Sequence, residues 1–166
     1  MVNAGDGTEV PQSDVDAGQV LERVLQLIDD TASIDQITAE RVSAALGAQV
    51  RHTSDRDFGY GARLTSEWMY RVDFRGNPRL GPVLVFRIFN PDGSNDGSLS
   101  EVSQLDYDQF AARLQSSGFT QTPQYGEHGR LMGSSFTRDG LTVEVSVRGE
   151  SEQNPTRLCV QTVQVR

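Results

Sequence analysis

The stretch ARLTSEWMYRVDFR, residues 62–75, alternates apolar and polar side chains along most of its length. One face would carry Leu64, Ser66, Trp68, Tyr70, Val72 and Phe74. Successive side chains of a β-strand point to opposite faces, so this period predicts one long strand with a buried side and a wet side. Core packing is therefore the expected role of Trp68 and Tyr70.

The sequence around this stretch predicts more strands. PVLVFRIFN (82–90) is apolar on both faces, which is typical of a central strand. LTVEVSVRG (141–149) alternates again, with Val143, Val145 and Val147 on one side. Asp139–Gly140, just before it, is a strong signal for a tight hairpin.

Three segments have helical period instead: GQVLERVLQLIDDTA (18–32), SIDQITAERVSAALGA (33–48) and LDYDQFAARLQSSGF (105–119). Either Ser33 or Thr38 is expected to cap the second helix. Gly47 and Gly118 are natural stops, because glycine readily adopts the left-handed conformation.

The predicted elements occur in the same order twice, in residues 19–90 and 102–166, with a linker at 91–101 and a tether at 1–18. ERVSAALGAQVRHTS (40–54) can be laid against DQFAARLQSSGFTQTP (108–123) in pattern, so two half-repeats are a hypothesis. Strands in antiparallel succession with segregated helices predict an α+β fold, an antiparallel β-meander with helices packed on one face.

Composition narrows the classes of partner. The 166-residue chain has a net charge of −8, and all fifteen of its basic residues are arginine. Phosphate backbones attract positive charge, so no nucleic-acid partner is expected. An acidic protein suits a partner with a basic rim, although solubility alone also explains the charge.

The sequence contains none of the common motifs for catalysis or cofactor binding. The chain has one cysteine, Cys159, and two histidines, His52 and His128, and it has no phosphate-binding, nucleophile-elbow or zinc-protease motif. We therefore expect a protein that is not an enzyme and holds no cofactor. Cys159, inside an apparent strand, is most simply a small buried apolar residue.

The segment NPDGSNDGSLSE (90–101) resembles the opening of an EF-hand calcium loop, with Asp92, Ser94 and Asp96 at ligand spacing. Counted from Asp92, the twelfth position should be a bidentate glutamate but is Ser103. Glycine, asparagine and small polar residues are also what a connector needs, so a linker is favoured over a metal site.

Two glycine-rich loops are the best recognition candidates: SDRDFGYGARL (54–64) and TPQYGEHGRL (122–131). Their candidate partner-binding residues are Asp55, Asp57, Phe58, Tyr60, Tyr125, Glu127 and His128. Aromatic side chains on adaptable loops give large contact area, and equivalent loops of the two halves are expected at one end of the sheet. The alternative is that Phe58 and Tyr60 tuck under their loop as part of the core.

The first eighteen residues are polar and glycine-rich, and no stretch is long and apolar enough for a membrane span. A mature secreted protein or lipoprotein that was given a new Met1 would begin this way, and so would any frayed terminus. The first interpretation predicts a periplasmic protein whose native form carries a lipid anchor on a removed N-terminal segment.

ITAERVSAALGAQV (37–50) followed by SEWMYRVDF (66–74) resembles the helix, Leu-Gly, strand and Trp-x-Tyr pattern of small bacterial envelope lipoproteins of the SmpA type. The same unit occurs in tandem in the β-lactamase inhibitor protein. The positions that carry the resemblance are Thr38, Val42, Leu46, Gly47, Trp68 and Tyr70.

Size and acidity are also similar to those of immunity proteins that protect bacteria against secreted antibacterial toxins. The resemblance implies a non-catalytic inhibitor or immunity protein that occludes the active site of a toxin or hydrolase. The alternative is an envelope lipoprotein that scaffolds an outer-membrane assembly complex. Both interpretations rest on similarity in size, charge and predicted fold, and a fold by itself does not determine a function.

Overall fold

A computed structural model describes residues 10–76, 79, 81–93 and 97–166. Its helices are α1 (Ala17–Asp29), α2 (Ala39–Leu46) and α3 (Tyr107–Ser116). Its strands are β1 (Arg51–His52), β2 (Phe58–Arg63), β3 (Met69–Arg75), β4 (Val83–Phe89), β5 (Thr120–Tyr125), β6 (Leu131–Arg138), β7 (Leu141–Gly149) and β8 (Leu158–Val165). Short 3-10 turns cover Ile34–Gln36 and Glu127–Gly129.

The eight strands form one antiparallel sheet in the order β1-β2-β3-β4-β8-β7-β6-β5. Each half contributes a meander of four consecutive strands, and the halves join where β4 pairs with β8. The predicted α+β fold with a β-meander is therefore confirmed.

The opening stretch is not one strand, as predicted, but the end of β2, a turn and β3. Leu64 and Thr65 both donate backbone hydrogen bonds to the carbonyl of Trp68, and the Thr65 hydroxyl accepts from the amides of Glu67 and Trp68. Threonine side chains can close turns in this way, and alternation alone does not show it. Trp68 and Tyr70 are buried, as expected.

Helices α1 and α2 begin at residues whose types favour helix caps, and α2 also ends at one. Thr38, not Ser33, caps α2 by accepting a hydrogen bond from the Arg41 amide, and Gly47 ends it at φ +69°. Asp16 caps α1 in a capping box with Gln19.

One face of the sheet is buried and the other is open. The alternating buried strand residues and the apolar stripes of the three helices form a single cluster that includes Val24, Ile28, Phe86, Phe110 and Val145. The helices therefore cover one face, and the opposite face presents mostly polar side chains to solvent, with Val83, Val85 and Phe89 of β4 among them.

Two predicted boundaries differ from the structure. Pro11 and Ser13 exchange backbone hydrogen bonds with Arg63, so part of the predicted tether is built into the fold. In the predicted linker, Leu99 is buried and its amide donates to the Glu150 carbonyl. Residues 1–9 lie outside the described residues.

None of the described helices is both long and apolar enough to pass through a membrane.

Candidate functional site

The two predicted recognition loops lie at opposite ends of the sheet, so the expectation of a common end is wrong. The turn between β1 and β2 is at the same end as the β3–β4 connection, whereas the turn between β5 and β6 is at the end where β2 meets β3. The cause is the antiparallel pairing of β4 with β8, which inverts the second half relative to the first. The structure therefore does not bring the two sets of candidate residues together.

The first-half loop is closed by its own hydrogen bonds. The Ser54 hydroxyl accepts from the amides of Arg56 and Asp57, and Thr53 donates to the Asp57 carbonyl at 2.9 Å. The Asp57 carboxylate accepts the Gly76 amide at 2.9 Å, which ties this turn to the next connection. Asp57 thus has a structural partner, whereas Asp55 is exposed.

The aromatic residues of this loop belong to the core side of β2. Phe58 is 6% exposed and stacks on Phe74, with ring centroids 4.9 Å apart. Tyr60 is half-buried with its ring 6.2 Å from that of Tyr70, and burial, followed by the nearby Asp14 charge, raises the pKa of Tyr60. The interpretation of these two residues as core therefore fits the structure better than the recognition role.

The second-half loop, in contrast, exposes large apolar side chains to solvent. Only three large hydrophobic side chains are exposed within the described ranges: Val10 at 37%, Tyr125 at 65% and Met132 at 52%. Tyr125 and Met132 flank the turn between β5 and β6, and the residues between them include the exposed Glu127 and His128. We call residues 124–132 the corner.

The backbone of the corner is fixed by local bonds. Gly126 donates to the Arg130 carbonyl at 2.7 Å, and Arg130 donates to the Glu127 carbonyl at 3.3 Å. His128 has φ +58°, which is uncommon for a residue with a side chain. Such conformations persist where the surrounding structure determines them, and they cluster at ligand-contacting sites.

A β-bulge turns Met132 outward. Gln124 pairs with Gly133 and Tyr125 pairs with Leu131, so Met132 has no partner on β5. Gly133 has φ +155°, and a Cβ atom there would lie 2.0 Å from the Val145 carbonyl oxygen. Sequence reasoning missed Met132, although a glycine inside a strand pattern is a signal for a bulge.

Beside Met132 the open face has a shallow depression of about 260 Å³. Its lining residues are Gln124, Met132, Glu144, Val145, Ser146, Thr162 and Gln164. The corner therefore offers two exposed apolar anchors next to a polar hollow, which is an arrangement suited to contact with another surface.

Cys159 does not resemble an activated nucleophile. It is 2% exposed, its partner is the Ser103 hydroxyl at 2.5 Å, and burial raises the pKa of its thiol. His52 lies on the edge strand β1 and His128 in the corner. Reactive cysteines need a lowered pKa and access to solvent, and Cys159 has neither.

For metal binding, the described part of the chain shows no group of three or more His, Cys, Asp or Glu side chains that could hold an ion. In the predicted calcium segment, Asp92 is exposed and its amide donates to the Asn90 side chain in a turn. Ser94 and Asp96 lie outside the described residues, so this site stays a prediction.

Comparison of the chain with protein-family models, curated proteins and solved structures finds no match. The resemblance to SmpA-type lipoproteins and to the β-lactamase inhibitor protein therefore stays a prediction.

Proposed function

We propose that the chain is a non-catalytic protein-binding module of the bacterial envelope, an immunity or inhibitor protein that occludes the active site of a toxin or hydrolase. The single observation that carries the proposal is the exposure of Tyr125 and Met132 on a turn with a fixed backbone. Tyrosine is enriched among the residues that dominate binding energy, and methionine is enriched at interfaces.

The mechanism would be occlusion by a preorganised protrusion. Because the corner is held by its own hydrogen bonds, docking it orders few additional backbone angles, which lowers the entropic cost of association. Tyr125 would enter the partner's cleft, with Met132 packing beside it on the open-face side. The exposed Glu127 would complement a basic group on the rim of that cleft.

The proposed location is the periplasm. The polar, glycine-rich start of the sequence supports this part of the proposal. A toxin that acts in the envelope would be met there before it damages the cell that makes the inhibitor.

The test is inhibition of the toxin or hydrolase encoded beside this gene, measured by titration with purified protein. Wild-type protein should abolish turnover at a 1:1 ratio, and Tyr125→Ala should weaken binding about 10- to 100-fold, as expected for a side chain that dominates an interface. Thr137→Ala is the matched control, because Thr137 is exposed on the same strand as Met132 but outside the corner. Equal affinity of the Tyr125 variant and wild type would refute the corner as the docking site.

Charge at the corner gives a second readout. Glu127→Arg should slow association with that partner and change its dependence on salt, because exposed rim charges act mainly on the association rate. Asp55→Arg makes the same charge change on an exposed residue at the other end of the sheet and should leave the rate nearly unchanged. If the two reversals have the same effect, only net charge matters and the proposed contact of Glu127 is wrong.

A further inference from the structure

The open face of the sheet can be followed residue by residue across the strands. One row runs Gly61, Arg71, Arg87, Thr162, Ser146, Gly133 and Gln124, each paired directly with the next. At about 4.8 Å per strand the row spans about 29 Å, from the first-half edge to the corner. The open face is therefore one continuous surface that ends at the proposed docking site.

Charge on this face is divided between the two halves. The first half presents five arginines and one acidic residue, Asp73. The arginines are Arg51, Arg63, Arg71, Arg75 and Arg87, and we call them the arginine half-face. The second half presents uncharged Thr, Ser and Gln side chains, the half-buried Arg148, and the pair Arg166–Glu144, whose charged groups are 3.7 Å apart.

The arginine half-face is opposite in sign to the rest of the chain. Together with Asp73, its five arginines carry a net charge of +4 within a chain of net charge −8. The helix side shows the reverse, since residues 14–46 contain seven acidic residues and two arginines. The described fold therefore has a basic face and an acidic back.

The packing within the half-face concentrates this charge. Arg71 and Arg87 are direct cross-strand partners, and like charges in that position destabilise a sheet. Arg71 binds the Asp73 carboxylate at 2.8 Å, while the exposed Arg87 lies over the Phe89 ring at 4.8 Å. Both oxygens of the Asp73 carboxylate bind Arg71, and among the ion pairs of the described residues none involves Arg87, so the Arg87 guanidinium has capacity to bind an anion.

A groove opens on the β2 side of Arg71, away from Arg87. It has a volume of about 650 Å³, and its lining includes Arg51, Arg71 and Met69 over the glycines of β2. A Cβ atom on Gly59 would lie 2.4 Å from an Asp73 carboxylate oxygen, and one on Gly61 would lie 3.0 Å from Arg71 Cγ. Because the β2 glycines carry no side chains, they leave room for the charged groups of Arg71 and Asp73.

We infer that the arginine half-face is a docking surface for an acidic patch on a protein partner, with the exposed Arg75 and Arg87 as the main contacts for the partner's carboxylate side chains. This inference rests on the proposed function, because it takes the partner to be a protein. Arginine and methionine are favoured at protein interfaces, and the guanidinium fork binds a carboxylate with two parallel hydrogen bonds. The acidic back repels a polyanion that approaches from a distance, which disfavours nucleic acid and anionic membranes as the occupant.

The experiment titrates the isotopically labelled full chain with a decapeptide of alternating glutamate and serine, and follows backbone amide signals by NMR. We expect shifts confined to the half-face, with the glycine amides of β2 as resolved reporters, and weaker binding at higher salt. Arg75→Gln combined with Arg87→Gln should weaken the peptide about tenfold. The double change Arg41→Gln and Arg113→Gln removes the same charge from the helix side and should have little effect.

Each other outcome overturns the inference. Shifts at α1 or α2 instead of the half-face, or equal losses in the two double variants, would show that only net charge is sensed. Tighter binding of a 12-base-pair DNA or of phosphatidylglycerol vesicles through the same arginines would assign the surface to another class of partner. Self-association in low salt without peptide, seen by sedimentation and lost in the Arg75/Arg87 variant, would make the acidic back of a second copy the occupant. The titration needs no toxin and does not involve Tyr125, so its failure is separate from failure of the proposed function.

Discussion

The loop before β2 and the corner have similar composition but opposite exposure. Both combine glycines, aromatic residues and charges, yet Phe58 is 6% exposed and Tyr125 is 65% exposed. Phe58 and Tyr60 occupy positions of a strand whose side chains point to the helix layer, whereas Tyr125 ends an edge strand next to a bulge. In this protein the aromatic residue at the end of an edge strand is exposed, whereas the two inside β2 on its helix side are not.

The inversion of the second half adds to this difference. Because β4 and β8 meet antiparallel, equivalent connections of the two halves lie at opposite ends. Two four-stranded meanders joined in this way cannot build one site from the β1–β2 and β5–β6 loops at one end of the sheet. It can present one face that both halves share, which is the open face of the sheet.

The largest expected difference between the two loops is in how much their aromatic residues contribute to the free energy of unfolding. Phe58→Ala should lower the free energy of unfolding by about 3–5 kcal/mol, because it removes a buried ring stacked on Phe74. Tyr125→Ala should change it by no more than about 0.5 kcal/mol. Urea denaturation followed by Trp68 fluorescence measures both, and similar losses in the two variants would show that the corner is not exposed as described.

A smaller loss is expected at the bulge. Gly133→Ala places a methyl group against the Val145 carbonyl at φ +155°, so it should cost about 1–3 kcal/mol. Gly129→Ala is the control, since Gly129 also has positive φ but faces open space, and its cost should be about 1–2 kcal/mol from backbone strain alone. A harmless Gly133→Ala would contradict the bulge that turns Met132 outward.

The two acidic residues of the first loop should also differ. Asp57→Ala removes the acceptor of the Gly76 amide and should cost about 1–2 kcal/mol. Asp55→Ala, at an exposed position two residues away, should be neutral to within about 0.5 kcal/mol. Thermal melts of the two variants decide this, and equal melting temperatures would mean that the loop is not tied to the β3–β4 connection.

The smallest effect concerns alkaline pH. Burial raises the pKa of Tyr60 above its value in the unfolded chain, so the unfolded state loses this proton first. The stability that depends on this proton is fully present below about pH 10 and is lost as pH rises through the native pKa. Tyr60→Phe should flatten the fall in stability above about pH 10 only in part, because burial also raises the pKa of Tyr70. An unchanged slope in Tyr60→Phe would mean that Tyr60 is solvated.

Much of the fold was predictable because local rules agreed with the global arrangement. The left-handed stop at Gly47 and the hairpin at Asp139–Gly140, with φ of +50° and +88°, follow from residue type alone. The turn that divides residues 62–75 into two strands could not be predicted from residue type, because hydrogen bonds to the Thr65 side chain form it.

The site was less predictable because it depends on long-range pairing. Tyr125 was among the expected recognition residues and is exposed, while Phe58 from the same set is buried. The expected meeting of the two loops required knowledge of how β4 and β8 pair. The arginine half-face is likewise visible only once the register places Arg51, Arg71 and Arg87 on one surface.

The most direct test of the account is photo-crosslinking from position 125. Two variants carry the photo-crosslinking residue benzoylphenylalanine. In one it replaces Tyr125, and in the other it replaces Gln26, an exposed residue of α1. Both variants are expressed in the cells that make this protein. We predict one protein adduct of defined mass from position 125, none from position 26, and a toxin or hydrolase as the adduct's partner. Adducts from position 26 with none from position 125 would show that the corner is not where this protein meets its partner.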